Sequence, residues 1–510
     1  MNFRYDTIII GSGISGMTAG IILAKEGEKV LVVEQNALPG GLTQTFKRQG
    51  LVFPTGVHRL GALNPGQALW YYFKYLGLMD SLELTSLGKD GFESYYFPGR
   101  CFKVPQDHGA YRAKLTSEFT GQADGICRYF HDMTELVSGI ELYHPGKSTS
   151  PDRSSIFTFS LDDYFKALNI RGELKSILSA NNPLFGMSSY ECPVLTHFLI
   201  SDCYLNSSFR INETATPFAR SLMACLESEG GEIRVKSRVK KILVKDRIAQ
   251  GVMLSFGEIL EADRVIHSGH PALVPALCPP GAFRPVYHKR LLAAQNTPGV
   301  FGMALKWKED HCPVIDNDAY LYDSWDVNAH YDLGKKGEEK GPGMIFLSAL
   351  PKASFGARDV AVTALTHLSS DDLKILGTEY QIPEKREYNR TKNSLAQGII
   401  DRIEQTFPGT RGAAQIVDTY SPFTFERYTL TPGGTAYGIK KCAQAFLQGM
   451  FSPATRVKGL FLTGQSVGIC GIHGAISASF NLCRNFYPGS YLMDKVRRMG
   501  KISNYSKESP

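Results

Sequence analysis

The stretch Tyr5-Asp-Thr-Ile-Ile-Ile-Gly-Ser-Gly-Ile-Ser-Gly16, followed by Lys29-Val-Leu-Val-Val-Glu34, decides the fold. Residues 5–10 form a short apolar run, the pattern of a parallel strand buried on both faces. Ile14, Met17, Ile21 and Ala24 then recur at helical spacing, and Gly27 ends the helix. Residues 29–34 read as a second strand that finishes on an acid. Strand, glycine turn, helix and strand make a βαβ unit. In the turn, Gly11 permits the sharp reversal, Gly13 lets backbone approach a pyrophosphate, and Gly16 lets helix and strand pack closely. Ile14 and Ser15 open the helix, whose free N–H groups and positive dipole end suit phosphate. Glu34 lies 18 positions beyond Gly16, close to the roughly 20 at which an acid meets the adenosine ribose. An acid there repels a 2′-phosphate, so NADP is disfavoured. The plain alternative is a doubly wound sheet whose glycine turn binds nothing; the four features together favour an adenine dinucleotide.

Outward from this unit, a chain of 510 residues is too long for one core and calls for at least two domains. With 43% hydrophobic and 21% charged residues the composition is that of a globular protein. The net charge of +7 is small and scattered. It allows attraction to an anionic membrane surface and gives no support to nucleic acid binding, since no dense basic stripe occurs. The 10 cysteines contain no C-x-x-C pair, which argues against a zinc ribbon, a thioredoxin-like pair and a disulfide framework. No metal site is expected, and free thiols suit a reducing compartment. The first strand begins near Tyr5 with no basic and apolar leader ahead of it, so no cleavable signal is expected. No apolar run reaches the length of a membrane span. The expected location is cytoplasmic, in solution or peripherally on a membrane. Polar stretches at Gly146-Lys-Ser-Thr-Ser-Pro151 and Gly334-Lys-Lys-Gly-Glu-Glu-Lys-Gly341 read as solvated loops.

The fingerprint alone does not separate FAD from NAD, and three further features favour FAD. Pro39-Gly-Gly41 follows Glu34, and Gly50-Leu-Val-Phe-Pro-Thr-Gly-Val-His58 comes next; paired glycines allow backbone to lie against a flat ligand. Glu232 to Val244 reads as a strand pair returning to the nucleotide domain. Gly464-Gln-Ser-Val-Gly-Ile-Cys-Gly-Ile-His-Gly474 lies between the strand Gly459–Thr463 and a helix with the period Ile472, Ala475, Ile476, Ser479, Phe480, Cys483. A helix N-terminus there would hold negative charge on a reduced flavin; the plain alternative is a glycine-rich connector.

Thr7 to Leu60 and Gly459 to Cys483 resemble the phytoene desaturase, carotenoid isomerase and retinol saturase group of flavoproteins, retinol saturase-like members most closely. The resemblance rests on Glu34-Gln-Asn-Ala-Leu-Pro-Gly-Gly41, Phe53-Pro-Thr-Gly-Val-His58, and Leu462-Thr-Gly-Gln465 with Cys470-Gly471 and Gly474-Ala475. It implies FAD held by Gly11, Ile14, Ser15 and Glu34 at the ADP half. Gly40, Gly41 and Leu42 would line the path to the flavin, with Val57 and His58 beside it. Val239 would contact the adenine side through its backbone, Gly464 and Gln465 the pyrophosphate or ribityl group, and Ile472 and Ala475 the isoalloxazine. Two departures stand out. Gln465 replaces the acid common in the wider flavoprotein class, a glutamine that retinol saturase-like sequences share. Phe209-Arg-Ile-Asn-Glu-Thr214 stands where the group often carries Pro-x-Gly-Gly.

The resemblance implies saturation, desaturation or flavin-dependent cis–trans isomerisation of a C=C bond in a carotenoid- or retinoid-like substrate, which needs an apolar tunnel. Trp70-Tyr-Tyr-Phe73, Tyr95-Tyr-Phe97 and Phe423 to Tyr428 are candidate linings, although any one of them reads more simply as core. His58 and His473 are the candidate proton donors; a lone histidine is more often a structural hydrogen-bonder. Cys470 reads as a small buried hydrophobe. Only one dinucleotide fingerprint is present, so the electron partner is a quinone, oxygen or a carrier protein of unknown identity. The apolar stretch Leu63 to Leu78 is the expected membrane contact. The expected fold is α/β: a discontinuous Rossmann-like FAD-binding domain (1–75, 206–275 and 411–510) with an inserted mixed α+β substrate domain (76–205 and 276–410). An amine oxidase-like flavoenzyme, a flavin-bound assembly or chaperone protein and a soluble NAD dehydrogenase are the rival readings.

Overall fold

Strand β1 (Arg4–Ile10) is apolar because it is central: Ile8 and Ile9 are fully buried. It pairs in parallel with β2 (Val30–Val33) on one side and with Ile259–His267 on the other. The sheet runs Glu232–Arg234, β2, β1, Ile259–His267, Ile248–Leu254, Val239–Lys245, with Leu460–Leu462 also parallel to Ile259–His267. Segments far along the chain therefore complete the N-terminal unit. Residues 232–244 do form two strands, but at opposite ends of this order rather than as neighbours. The intervening helix α1 (Ile14–Lys25) is buried on every face from Ser15 to Ala24. It lies against β2 and the helices Phe218–Ser228 and Gly471–Cys483, so its sequence shows more apolar residues than one stripe requires.

The computed structural model describes residues 4–88, 91–146, 159–331, 342–350, 359–368 and 385–505. Most of the 146–151 loop and the 334–341 turn lie outside the described residues. A second sheet runs Arg100–Val104, Glu93–Phe97, Asp318–Tyr322, Met344–Ala349, Asp359–Leu368, Gly299–Lys308, Ala414–Tyr420. Alternation along its strands separates two cores. Tyr95, Phe97, Tyr320, Tyr322, Met344 and Phe346 pack with the helices Ala123–Ser138, Gly172–Ser179 and Val194–Asn206. Phe301, Met303, Leu321, Ile345 and Leu347 pack with Ile399, Ile400 and Ile403 of the helix Lys385–Thr406. The architecture is the expected one, a discontinuous Rossmann-like α/β unit joined to a mixed α+β unit.

One expectation fails. The apolar side chains between Leu63 and Leu78 do not face outward: Leu63, Leu69, Trp70, Tyr72, Phe73, Leu76 and Leu78 are all buried. The helix Ala68–Leu76 packs against α1 and the C-terminal helix Tyr491–Tyr505. Its hydrophobicity serves the core, and it cannot meet lipid. Among the described residues no helix is long and apolar enough to cross a membrane, and no group of side chains is suited to a metal ion. All ten cysteines are free thiols.

Candidate functional site: a glycine cradle between two helix N-termini

The turn after β1 does three different things with its three glycines. Gly11 has φ +97°, which L side chains rarely adopt. A Cβ on Gly16 would sit 2.1 Å from the Gly11 carbonyl oxygen, so only glycine lets the helix approach the strand. A Cβ on Gly13 would meet nothing within 4 Å. Gly13 therefore borders open space at the start of α1, which has neither a side-chain cap nor an acid in its first turn. Its first N–H groups remain available to an anion. Gly41 closes against the same place, since a Cβ there would lie 3.1 Å from the Gly13 Cα.

Glu34 is tied into this turn. Its Oε2 accepts the Ser12 hydroxyl at 2.6 Å and the Ser12 N–H at 3.1 Å, and its Oε1 accepts the Asn36 N–H at 2.8 Å. Ser12 Oγ in turn accepts the Gly40 N–H at 3.0 Å. A carboxylate has about four acceptor positions, so Oε1 keeps one for a ligand hydroxyl. The Ser237 N–H donates to the Glu34 carbonyl at 2.7 Å, which brings Val239 to this end of the cradle.

The C-terminal motif meets the same helix. Ser15 Oγ donates to the Ala475 carbonyl at 3.1 Å, and Ser479 Oγ donates to the Ser15 carbonyl at 2.8 Å. A Cβ on Gly464 would lie 3.8 Å from Ser15 Oγ. The helix Gly471–Cys483 again begins without a side-chain cap or an acid in its first turn, so a second free N-terminus adjoins the first. Ile14, Val57 and Ile472 share one apolar cluster, and the Leu42 carbonyl accepts Thr55 Oγ1 at 3.1 Å. Gln465 donates through Nε2 to the Ala436 carbonyl at 3.1 Å. The structure thus gathers the cofactor residues expected from sequence around α1 and its two flanking loops.

The two candidate histidines are not brought together. His58 is half-buried with its ring edge-on to Phe346 at 5.7 Å. Burial lowers its pKa to about 4, against the opposing pull of Asp318, so the ring is neutral near pH 7. His473 is buried against Tyr143 at 4.3 Å and Tyr72 at 6.2 Å. Cys470 is buried, and burial pushes its thiol up to about 11, consistent with a small apolar filler.

Two features were not read from the sequence. Next to His58, Arg59 lies 2.6 Å from Glu93 and 3.4 Å from Asp318, and Arg210 lies 2.8 Å from Asp318; all four side chains are buried. Tyr95 donates to Glu93, and Arg59 stacks on Tyr204 at 4.4 Å. A charge inside the apolar run Val57–Leu63 was the available signal. The second is Lys441, buried, donating to the carbonyls of Gln465 at 3.0 Å and Ile439 at 3.3 Å. Burial lowers its pKa to about 8.

Residues 9–76 match the NAD(P)-binding Rossmann-like domain family. Over most of its length the chain is similar to all-trans-retinol 13,14-reductase from Danio rerio, 24% identical over 93% of this chain and 84% of that protein. The Homo sapiens protein of the same name is 25% identical over 98% and 89%. A chloroplastic prolycopene isomerase from Daucus carota is 24% identical over 91% and 76%. Among solved structures, an oxidoreductase from Methanosarcina mazei superposes with a TM-score of 0.65 at 15% identity, covering 94% of this chain and all of that one. A putrescine oxidase redesigned in its cofactor binding does so with 0.65 at 14%, covering 95% and 99%. These structural likenesses speak to fold alone. Beside the glycine cradle and the late Leu462-Thr-Gly-Gln465 motif, two kinds of relative, the all-trans-retinol 13,14-reductases and a prolycopene isomerase, are similar to this chain over nine-tenths of its length or more.

Proposed function

We propose that this chain is an FAD-dependent oxidoreductase that saturates, desaturates or isomerises a C=C bond in a hydrophobic polyene or isoprenoid. The observation that carries the reading is the cradle, where two uncapped helix N-termini meet at Ser15 around a Gly13 position left open. A simple nicotinamide site accounts for the first helix; the second, with the Gly41 loop between, suits the longer FAD. Bound flavin supplies hydride exchange with carbon. The chain's own residues do the rest. Gly11, Gly13, Ile14, Ser15 and Gly16 seat the pyrophosphate, Glu34 the ribose, and Val239 the adenine edge. Gly40, Gly41, Leu42 and Val57 shape the path onward. Gly464 and Gln465 meet the pyrophosphate or ribityl group, and Ile472 and Ala475 the ring.

Neutral His58, beside Phe346, is the first candidate to hold or move a proton at the substrate carbon. His473, closed in by Tyr143 and Tyr72 with both ring nitrogens buried and unpartnered among the described residues, is the second. The wall of Tyr320, Phe346 and their neighbours excludes water from an apolar chain. The substrate class comes from the relatives, whose names specify retinol and prolycopene, both polyenes. The amine oxidase reading rests only on a shared fold. Saturation or desaturation needs an electron partner such as a quinone, oxygen or a carrier protein, whereas isomerisation is redox-neutral. A lipid-soluble substrate favours contact with a membrane surface through a region other than Leu63–Leu78. In this reading the chain divides into nucleotide and substrate units, with Ala414–Tyr420 assigned to the substrate unit because it pairs with Gly299–Lys308.

The test is to purify the chain with ample riboflavin, record its visible spectrum, and incubate it anaerobically, reduced and oxidised, with all-trans-retinol or prolycopene. A yellow protein that converts one of them is expected. A colourless protein that takes up no FAD overturns the reading. Flavin reduction by amines with no response to polyenes makes it an amine oxidase, and a flavin that cannot be reduced points to an assembly protein.

A further inference from the structure

The face of the second sheet that Phe346 belongs to is not apolar throughout. Phe346, which touches His58, pairs in register with Leu365 on the neighbouring strand. His367 lies on the same face two residues further, roughly 7 Å along the strand. Its ring is 6.1 Å from that of Tyr437, in the segment that Gln465 touches through the Ala436 carbonyl. It is 5.8 Å from His330 and 5.9 Å from Tyr331, and those two rings are 3.8 Å apart. Three polar atoms of this cluster, His330 Nε2, Tyr331 Oη and His367 Nδ1, are buried with no hydrogen-bond partner among the described residues. Buried polar atoms are almost always paired, so three in one cluster call for a partner that is not protein.

The chemistry of that partner follows from the protons. His330 Nδ1 is 2.8 Å from the Val327 carbonyl, which can only accept, so Nδ1 carries the hydrogen and Nε2 presents a lone pair. His367 lies beside the Pro183 backbone, which offers a carbonyl acceptor and no N–H. A ring nitrogen turned toward that carbonyl carries the hydrogen, which leaves the buried, unpartnered Nδ1 as a second lone pair. Burial lowers the two pKa values to about 4 and about 3, so both rings are neutral near pH 7. Burial raises the Tyr331 hydroxyl well above its ordinary range and keeps it protonated. The site offers two acceptors, one hydroxyl and no cation. A carboxylate would face two lone pairs, and a hydrocarbon would leave all three atoms unpaired. An ether could use only Tyr331.

We propose that His330, Tyr331 and His367 bind the hydroxyl group of a polyene alcohol, fixing the polar end of a chain whose C=C bonds lie along the aromatic wall. This rests on the polyene reading above and decides between alcohol and hydrocarbon within it. The test uses the full, flavin-loaded chain, titrated with all-trans-retinol, its methyl ether, retinoic acid and lycopene, and followed by ligand fluorescence or absorbance and by the flavin difference spectrum. Retinol should bind about tenfold or more tighter than the ether and the acid, the worth of one to two buried hydrogen bonds. His330→Leu and His367→Leu should each shrink that ratio while leaving flavin content and ether binding unchanged, and Tyr331→Phe should weaken retinol and its ether alike while leaving flavin content and lycopene binding unchanged. His367→Asn, which keeps an acceptor near Nδ1, should restore part of the ratio. Equal binding of retinol, ether and lycopene by the unaltered chain would mean that water alone fills the site and would overturn the proposal. So would variants that weaken all ligands alike. A flavin-loaded protein that binds none of the four overturns the polyene reading as well.

Discussion

Substituting alanine at Gly13 separates fold from ligand more cleanly than any other change in the cradle. Gly13 has φ −62° and ψ 170°, ordinary extended backbone that alanine adopts freely, and its new methyl would touch nothing in the protein. The free protein should be as stable as before, or more so by about 0.4–1 kcal/mol from reduced freedom of the unfolded chain. The methyl would, however, fill the space in which a pyrophosphate must approach the α1 N–H groups. Each charge-assisted hydrogen bond lost is worth about 1.5–3 kcal/mol, so the Kd for FAD should rise about 10- to 100-fold for one such bond. Gly16→Ala, three residues on, should behave in the opposite way. Its methyl would lie 2.1 Å from a backbone oxygen that no side-chain rotation can move, an overpacking that costs about 1–3 kcal/mol or more of stability before any ligand is added. The assay is flavin-fluorescence titration of the free protein beside its urea unfolding. If Gly13→Ala binds FAD like the unaltered chain, or loses affinity only in step with stability, the turn is not the phosphate cradle.

Three further outcomes follow from the buried charges. Arg59→Leu leaves Glu93 and Asp318 short of a cation in the core, and urea midpoints should report a loss of about 3–5 kcal/mol. Glu34→Gln keeps one carbonyl oxygen for donors now spread over two, from Ser12 and Asn36; it should cost about 1–3 kcal/mol in the free protein and weaken FAD, measured by the same pair of titrations. The buried histidines should make mild acid destabilising. His58, His267, His330 and His473 are held near 4 and His197 and His367 near 3, mainly by burial, against an ordinary value of about 6.5. Between these values the unfolded chain binds more protons than the folded one, so stability should fall as pH drops from about 6.5 toward 4. An unfolding midpoint that does not change between pH 7.5 and 5 would contradict this.

What could be read from the sequence divides by how local its physics is. The turn Gly11–Gly16 announces itself because one peptide segment contains its strand, its reversal and its helix; the same holds for Leu460–Leu462 leading into Gly471–Cys483. Glu34 was legible as an acid at a strand end, but its ties to Ser12 and Gly40 were not, since they depend on a loop folding back. The ion network was hidden for a stronger reason. Arg59, Glu93, Arg210 and Asp318 come from four separate stretches, and each alone looks like an ordinary surface charge. Only assembly of the second sheet takes them out of water together. Arg210 even falls inside Phe209–Thr214, the stretch that departs from the family pattern, so the departure marks where a second cation enters the core. Leu63–Leu78 fails in the converse way. Apolar sequence reports aversion to water and is silent on whether protein or lipid provides the shelter. The exchange of one apolar environment for another leaves the pattern of residues unchanged, and only the packing of Ala68–Leu76 between α1 and Tyr491–Tyr505 decides it.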